Sequence, residues 1–179
     1  MSSLQKFHRR TLVVGGGVAA GLFATVGSGS DTIGYRLGYA SGSSAYLIAA
    51  PKSTEAQRAW GSNGTVRGTT SATNGLGNTN TLYGFGSAAH PAAYYCRALT
   101  TGGYNTWYLP ARNELNTLYS NKSAVPFATA NSFVGGYFWS STETDGTFAC
   151  IQGFTGGSQY SNGGYGKDDG YNVRPVRRV

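Results

Sequence analysis

Apolar residues in this chain come in short groups with different spacings, separated by glycine, serine, threonine and asparagine. The block "AYLIAAPK" (45–52) lies between "SGSS" and a proline, the pattern of a buried strand. Residues 61–80, "GSNGTVRGTTSATNGLGNTN", are small, polar and rich in turn formers, and are predicted to be loop. Pro91 then opens a helix, "PAAYYCRALT", with Ala93, Cys96, Arg97 and Leu99 at helical spacing and a glycine stop in "TTGGY". A second helix follows Leu109. Pro110 sits at its first turn, and Leu115, Leu118 and Tyr119 share one face. "GGYFWSSTE" (135–143) and "GTFACIQGF" (146–154) read as strands joined into a hairpin. "GGSQYSNGGYGKDDG" has no periodicity and reads as a long loop. "YNVRPVRRV" is predicted as a last strand, with Pro175 at an edge or bulge.

Composition supports this loop-rich picture. The 179 residues include 28 glycines and 13 tyrosines, and 12% are charged. Glycine reaches positive φ without a steric penalty, and tyrosine combines a large apolar face with a polar tip. The net charge is +7. It is split between the ends, at Lys6, Arg9 and Arg10 and at Arg174, Arg177 and Arg178. It forms no basic stripe with interleaved aromatics, so nucleic acid is not an expected partner. Cys96 and Cys150 have no C-x-x-C spacing, and His8 and His90 lie far from any cysteine pair. No metal and no cofactor is expected, and the cysteines are either bonded to each other or buried as thiols.

Residues 1–30 differ from the rest, because "TLVVGGGVAAGLFATVGSGS" carries no charge. Gly15, Gly17 and Ala20 fit a dinucleotide fingerprint, but no acid follows at the required distance. The paired arginines and apolar run also suit a signal peptide. A membrane helix is a poorer fit, given so much glycine. The preferred reading is a Gly-rich arm, 1–30, that packs on a neighbouring subunit. Residues 31–179 then form the folded domain.

Four segments in this order are distinctive: "HPAAYYCRALTTGGYNTWYLPARNELNTLY", "YFWSSTE", "TFACIQGF" and "NVRPVRRV". Together they resemble the Lcl C-terminal domain family of collagen-like bacterial adhesins and bacteriophage tail fibres. "YLIAAPKSTEAQRAW" and "HPAAYYC" look like the phage versions. The resemblance implies an α+β, C-type-lectin-like fold: two helices packed on a small twisted antiparallel sheet with long loops, and chain ends close together. It also implies that Trp107–Pro110, Arg112, Glu114 and Trp139 are scaffold. Arg174 and Arg177 are expected to pair with Glu114 or Glu143. The calcium tripeptides of sugar-binding C-type lectins do not occur here, and Asp168 and Asp169 alone supply too few oxygens. Formylglycine-generating enzymes share the fold but need a reactive cysteine pair. Cys96 on a helix and Cys150 in a strand suit packing or a disulfide instead, so no enzymatic activity is expected.

Recognition is expected in the loop 155–171, whose Gly/Ser/Tyr/Asn composition is that of binding loops. Its candidate ligand-binding residues are Tyr160, Asn162, Tyr165, Lys167, Asp168, Asp169 and Tyr171, with tyrosine stacking on a sugar face as one mode. Trp60 and the loop after it are a second candidate. The functional expectation is a virion protein: a fibre, tail tip or head decoration. It would bind host surface glycan or protein, dock on other virion proteins through residues 1–30, and form a homo-oligomer, by guess a trimer. The alternatives are a secreted or cell-surface bacterial adhesin and a formylglycine-generating-type enzyme.

Overall fold

The computed structural model describes residues 25–26, 34–39, 45–122, 133 and 135–179. Apart from Thr25–Val26, the expected arm 1–30 lies outside the described residues. In chain order the strands are β1 (Thr25–Val26), β2 (Gly34–Tyr39), β3 (Tyr46–Ala49), β4 (Ala56–Ala59), β5 (Tyr137–Glu143), β6 (Ala149–Gly153), β7 (Gln159–Tyr160), β8 (Gly170–Val173) and β9 (Val176–Arg178). Among the described residues three α-helices, α1 (Gly75–Tyr83), α2 (Pro91–Ala98) and α3 (Arg112–Ser120), lie between β4 and β5. The architecture is α+β.

The strands form two sheets, ordered β1-β2-β3-β9 and β4-β8-β5-β6-β7, where a single small sheet was expected. All neighbours are antiparallel except β5 and β8, which run parallel at Phe138 and Asn172. The expected hairpin is β5–β6. The expected last strand is in fact two. Pro175 has no N–H to continue a ladder, and at Arg174–Pro175 the chain leaves β8 in the second sheet and enters β9 in the first. β9 pairs with β3 on one side and bridges to Tyr108 on the other. Val179 exchanges both backbone hydrogen bonds with Tyr46, at 2.8 and 3.0 Å, so the end of the sequence closes on the start of β3.

Two cores flank β5, as strand alternation requires. Phe138 points into one with Leu47, Tyr108, Leu115, Leu118, Phe154 and Val176. Trp139 points into the other with Trp60, Leu82, Cys96, Leu109, Ile151 and Val173. The buried tryptophans keep their N–H groups satisfied. Trp60 donates to Ser140 O at 2.9 Å, Trp139 to Arg58 O at 3.0 Å and Trp107 to Thr101 O at 3.1 Å. Fully burying a large apolar side chain contributes about 1.5–3 kcal/mol.

The predicted loop 61–80 ends inside a helix, α1, that its polarity hides. Asn74 caps it by accepting from Gly77 N at 2.9 Å. Buried Thr79 then exchanges two 3.0 Å hydrogen bonds with the backbone of Leu109, and Asn78 donates to Ser71 O at 2.8 Å. The helix is held by satisfied polar groups as much as by Leu82, so it shows no apolar stripe.

The expected ion pairs are also rearranged. Glu114 pairs with Arg178 at 2.6 Å, Glu143 with Lys167 at 2.6 Å, and Arg174 with Glu55 at 2.5 Å. Arg177 takes neither glutamate. Glu114 is the hub of the first core. Its carboxylate accepts from Ala111 N at 2.9 Å at the start of α3, Gly75 N at 3.2 Å at the start of α1, and Tyr108 OH at 2.9 Å. Gly75 is required there, because a Cβ would lie 2.3 Å from the Glu114 Oε2 and 2.5 Å from Ala111 N. Cys96 and Cys150 are free thiols, both buried.

Candidate functional site

Strand geometry gathers tyrosines on one surface of the second sheet. Tyr137 opens β5, Tyr160 ends β7, Tyr171 lies in β8, and Tyr165 comes from the turn between β7 and β8. Pairing sets the arrangement: Trp139 faces Ile151 across β5–β6, and Ile151 faces Tyr160 across β6–β7. Tyr165 is central, with ring centroids 5.0 Å from Tyr137, 5.1 Å from Tyr160 and 5.8 Å from Tyr171. Trp139 supports Tyr171 edge-on from below at 5.1 Å. All four tyrosines are half-buried, with their lower faces on the second core.

The hydroxyls are organised as well. Tyr165 donates to the Tyr137 hydroxyl at 3.2 Å, and Tyr171 donates to Asp169 Oδ2 at 3.4 Å. The Tyr165 phenol is pushed up to about 12, chiefly because its proton is held in the bond to Tyr137, with the surrounding phenols adding to the effect. The Tyr171 phenol is also raised, first by burial and then by the carboxylate of Asp169. Tyr165 and Tyr171 therefore keep their phenol protons at neutral pH, and apolar ring faces and hydroxyls lie side by side.

Two hollows flank Tyr160. One, of about 160 Å³, is lined by Gly136, Tyr137, Gly153, Thr155, Gly156, Ser158 and Tyr160. The other, of about 130 Å³, is lined by Arg112, Cys150, Gln159, Tyr160 and Ser161. Strands β6 and β7 are anchored to α3: Gln159 Nε2 donates to Arg112 O at 2.7 Å, and Gln152 Nε2 to Asn116 Oδ1 at 2.8 Å. Gly157, at φ 85°, lies so close to Tyr119 that a Cβ would stand 2.4 Å from the ring.

The expected site residues thus divide. Tyr160, Tyr165 and Tyr171 come together. Tyr137, which sequence reasoning placed only in a strand, joins them; its two-residue offset from Trp139 is the signal that it shares that face. Asn162 is exposed in the turn beyond Tyr160. Asp168 and Asp169 brace the loop: Asp168 accepts from Asn63 Nδ2 at 2.6 Å, and Asp169 from Gly166 N at 2.8 Å.

Lys167 is not a surface contact, because its side chain is fully buried. Its ammonium donates to Glu143 Oε1 at 2.6 Å and Thr65 O at 2.9 Å, and lies 4.7 Å from the Trp60 ring centre. Glu143 in turn accepts from Arg67 N, at 2.8 and 2.9 Å, and from Gly68 N at 2.7 Å. Trp60, the second candidate, is likewise fully buried. His90 packs beside this cradle. Its Nδ1 faces Trp60 O at 3.2 Å and its Nε2 accepts from Arg67 Nε at 3.0 Å, which fixes the neutral tautomer with the proton on Nδ1. Burial lowers its pKa, with Arg67 and Lys167 adding to the effect.

Among the described residues, no group of three or more His, Cys, Asp or Glu could hold a metal, and no helix is long and apolar enough to cross a membrane.

The model of the Lcl C-terminal domain family matches residues 54–177. The chain belongs to this family. The matched Lcl C-terminal domain runs from Thr54 to Arg177 and contains all three helices and the whole tyrosine face, while β1, β2 and β3 lie outside it. A fimbrial protein from Bacteroides ovatus has a similar fold, with a TM-score of 0.54 over 75% of this chain at 14% identity. The chain spans about a third of that protein, 36% of its length. A search of curated proteins finds no match.

Proposed function

We propose that the Lcl C-terminal domain of this chain is a non-catalytic recognition module, adhesin-like in kind and working at an extracellular surface. The tyrosine face would be its contact. One observation carries this reading: tyrosines from β5, β7, β8 and a connecting turn converge into one half-exposed aromatic surface. Rigid aromatic rings give broad contact at low entropic cost, and their hydroxyls add adaptable hydrogen bonds. The ring faces suit the C–H face of a sugar, and the flanking hollows offer serine, threonine and backbone groups to its hydroxyls. Family membership and a fold shared with a fimbrial protein support a surface role. The finer reading is a C-type-lectin-like domain on a phage fibre, tail tip or head decoration. A formylglycine-type activity fits less well, because burial raises the Cys96 thiol well above its ordinary value and Cys150 is only 5% exposed.

The test is binding of the purified protein to intact bacterial cells, comparing wild type with Tyr160→Ala and Tyr165→Ala. Truncating a central aromatic contact should cost about 2 kcal/mol or more of affinity, roughly thirtyfold. Each variant should stay folded while losing some stability with the buried part of its ring, so binding is compared under conditions where denaturant unfolding shows both fully native. Unchanged binding by both variants would remove the face from consideration. Immunogold imaging of purified particles separates virion from secreted adhesin, since only the first places the chain on the particle.

A further inference from the structure

Arg177 carries a charge that the described residues do not neutralise. It lies in β9 and is only 6% exposed. Ion pairs among the described residues go to its neighbours instead, Arg174 to Glu55 and Arg178 to Glu114. Its Nε has no hydrogen-bond partner. The guanidinium carbon stands 3.7 Å from the centre of the Tyr104 ring and 5.9 Å from that of Trp107. The ring faces offset part of the desolvation, but they do not supply an anion. Arginine stays protonated in proteins, so the charge remains. A buried cation is expensive unless an anion meets it, and a guanidinium is the side chain best shaped to take a carboxylate.

The wall around it is prearranged. Thr101–Gly103 form one 3-10 turn, with Gly102 at φ 68° and Gly103 at φ 75°. Trp107 Nε1 donates back to Thr101 O at 3.1 Å, and Arg97 Nη1 donates to Asn105 O at 2.9 Å and Trp107 O at 3.2 Å. These bonds fix the segment that carries Tyr104, 38% exposed, over Arg177. Arg97 adds a second positive group to the segment, and its Nε is also without a partner.

We propose that Arg177 beneath Tyr104 is a docking site for a carboxylate side chain, Asp or Glu, of a partner protein. It lies on β9 of the first sheet and is distinct from the tyrosine face, which the second sheet builds. Arg177 is 6% exposed and lies under the Tyr104 ring, so an anion on a slender, flexible side chain reaches it with less displacement of that ring than one fixed directly to a sugar ring. The net charge of +7 draws an acidic partner surface to the chain.

The experiment is NMR of the arginine Nε–H groups in the 15N-labelled full chain, titrated with N-acetyl-glutamate amide. Backbone-linked spectra assign the Arg177 signal, and R177K should remove it. The expected result is a saturable displacement of that signal, with an affinity on the order of millimolar as befits one charged contact. The glutamine analogue should leave it in place, and Arg112, which is exposed, should not saturate. No displacement, or an equal one with the glutamine analogue, overturns the site. Tighter binding of free glucuronate than of the glutamate probe overturns the assignment to a protein side chain.

Discussion

Two loops of similar composition have opposite roles in this fold. Residues 61–72 and 155–171 are both rich in glycine, serine, threonine and asparagine. The first is fixed by buried charge. Glu143 accepts from the amides of Arg67 and Gly68, Lys167 donates to Thr65 O, and Ser71 O accepts from both Asn78 and Thr142. The second is held at its ends and open in the middle. Gln159 ties down one side and Asp169 with the buried Lys167 the other, while Asn162, Gly163 and Gly164 between them are exposed. Loop composition therefore does not separate scaffold from display. A distant acid that claims the backbone amides does.

The difference between the loops rests most heavily on Glu143. Its carboxylate and the Lys167 ammonium are both buried, so removing one charge strands the other. We expect Glu143→Gln to cost about 3–5 kcal/mol, the range for leaving a buried charge unpaired. Denaturant unfolding would measure the loss, and hydrogen exchange should show the amides of residues 65–69 opening first. A loss below about 1 kcal/mol would mean that the loop holds its shape without the pair.

A smaller effect should come from acid. His90 is buried against Trp60 and accepts a hydrogen bond from Arg67, and the groups around it are Arg67, Lys167 and Glu143. Protonation would set a cation against the Arg67 donor. The folded pKa is lowered, so below the unfolded value of about 6.5 the unfolded chain binds more protons than the folded one. The His90 contribution is thus fully present above that pH and is lost as pH falls through the folded pKa. The denaturation midpoint should drop as pH falls below the unfolded value of about 6.5, and His90→Gln should flatten that part of the profile. A wild-type profile no steeper than the variant's would show that His90 does not report on the cradle.

How much of this was legible in the sequence follows the same division. α2 and α3 announced themselves through Pro91, Pro110 and apolar residues three or four apart, and β5 and β6 through aromatic and β-branched runs beside turns. The tyrosines of 155–171 were legible from composition. α1 was not, because its buried positions are Asn78 and Thr79 as well as Leu82, and periodicity counts only apolar residues. Nor was the role of Lys167. A lysine between glycine and two aspartates reads as solvated, and only the fold brings Glu143, 24 positions earlier, within 2.6 Å of it. Tyr137 was hidden for a milder reason: its strand was evident, but the sheet order that carries β7 and β8 to either side of the β5–β6 hairpin was not.

The finest test sets Asn162→Ala beside Tyr165→Phe. Asn162 is exposed on the open turn, so its replacement should change stability by less than about 0.5 kcal/mol. Tyr165→Phe keeps the ring and removes only the hydroxyl that donates to Tyr137, a single solvent-accessible bond whose loss has little effect on stability. Both variants should therefore unfold almost with wild type. They should differ in alkaline titration, because Tyr165→Phe removes the phenol held up to about 12 while Asn162→Ala leaves it there. A loss from Asn162→Ala as large as that from Glu143→Gln would mean that the turn is built into the scaffold, and the distinction between the two loops would fall.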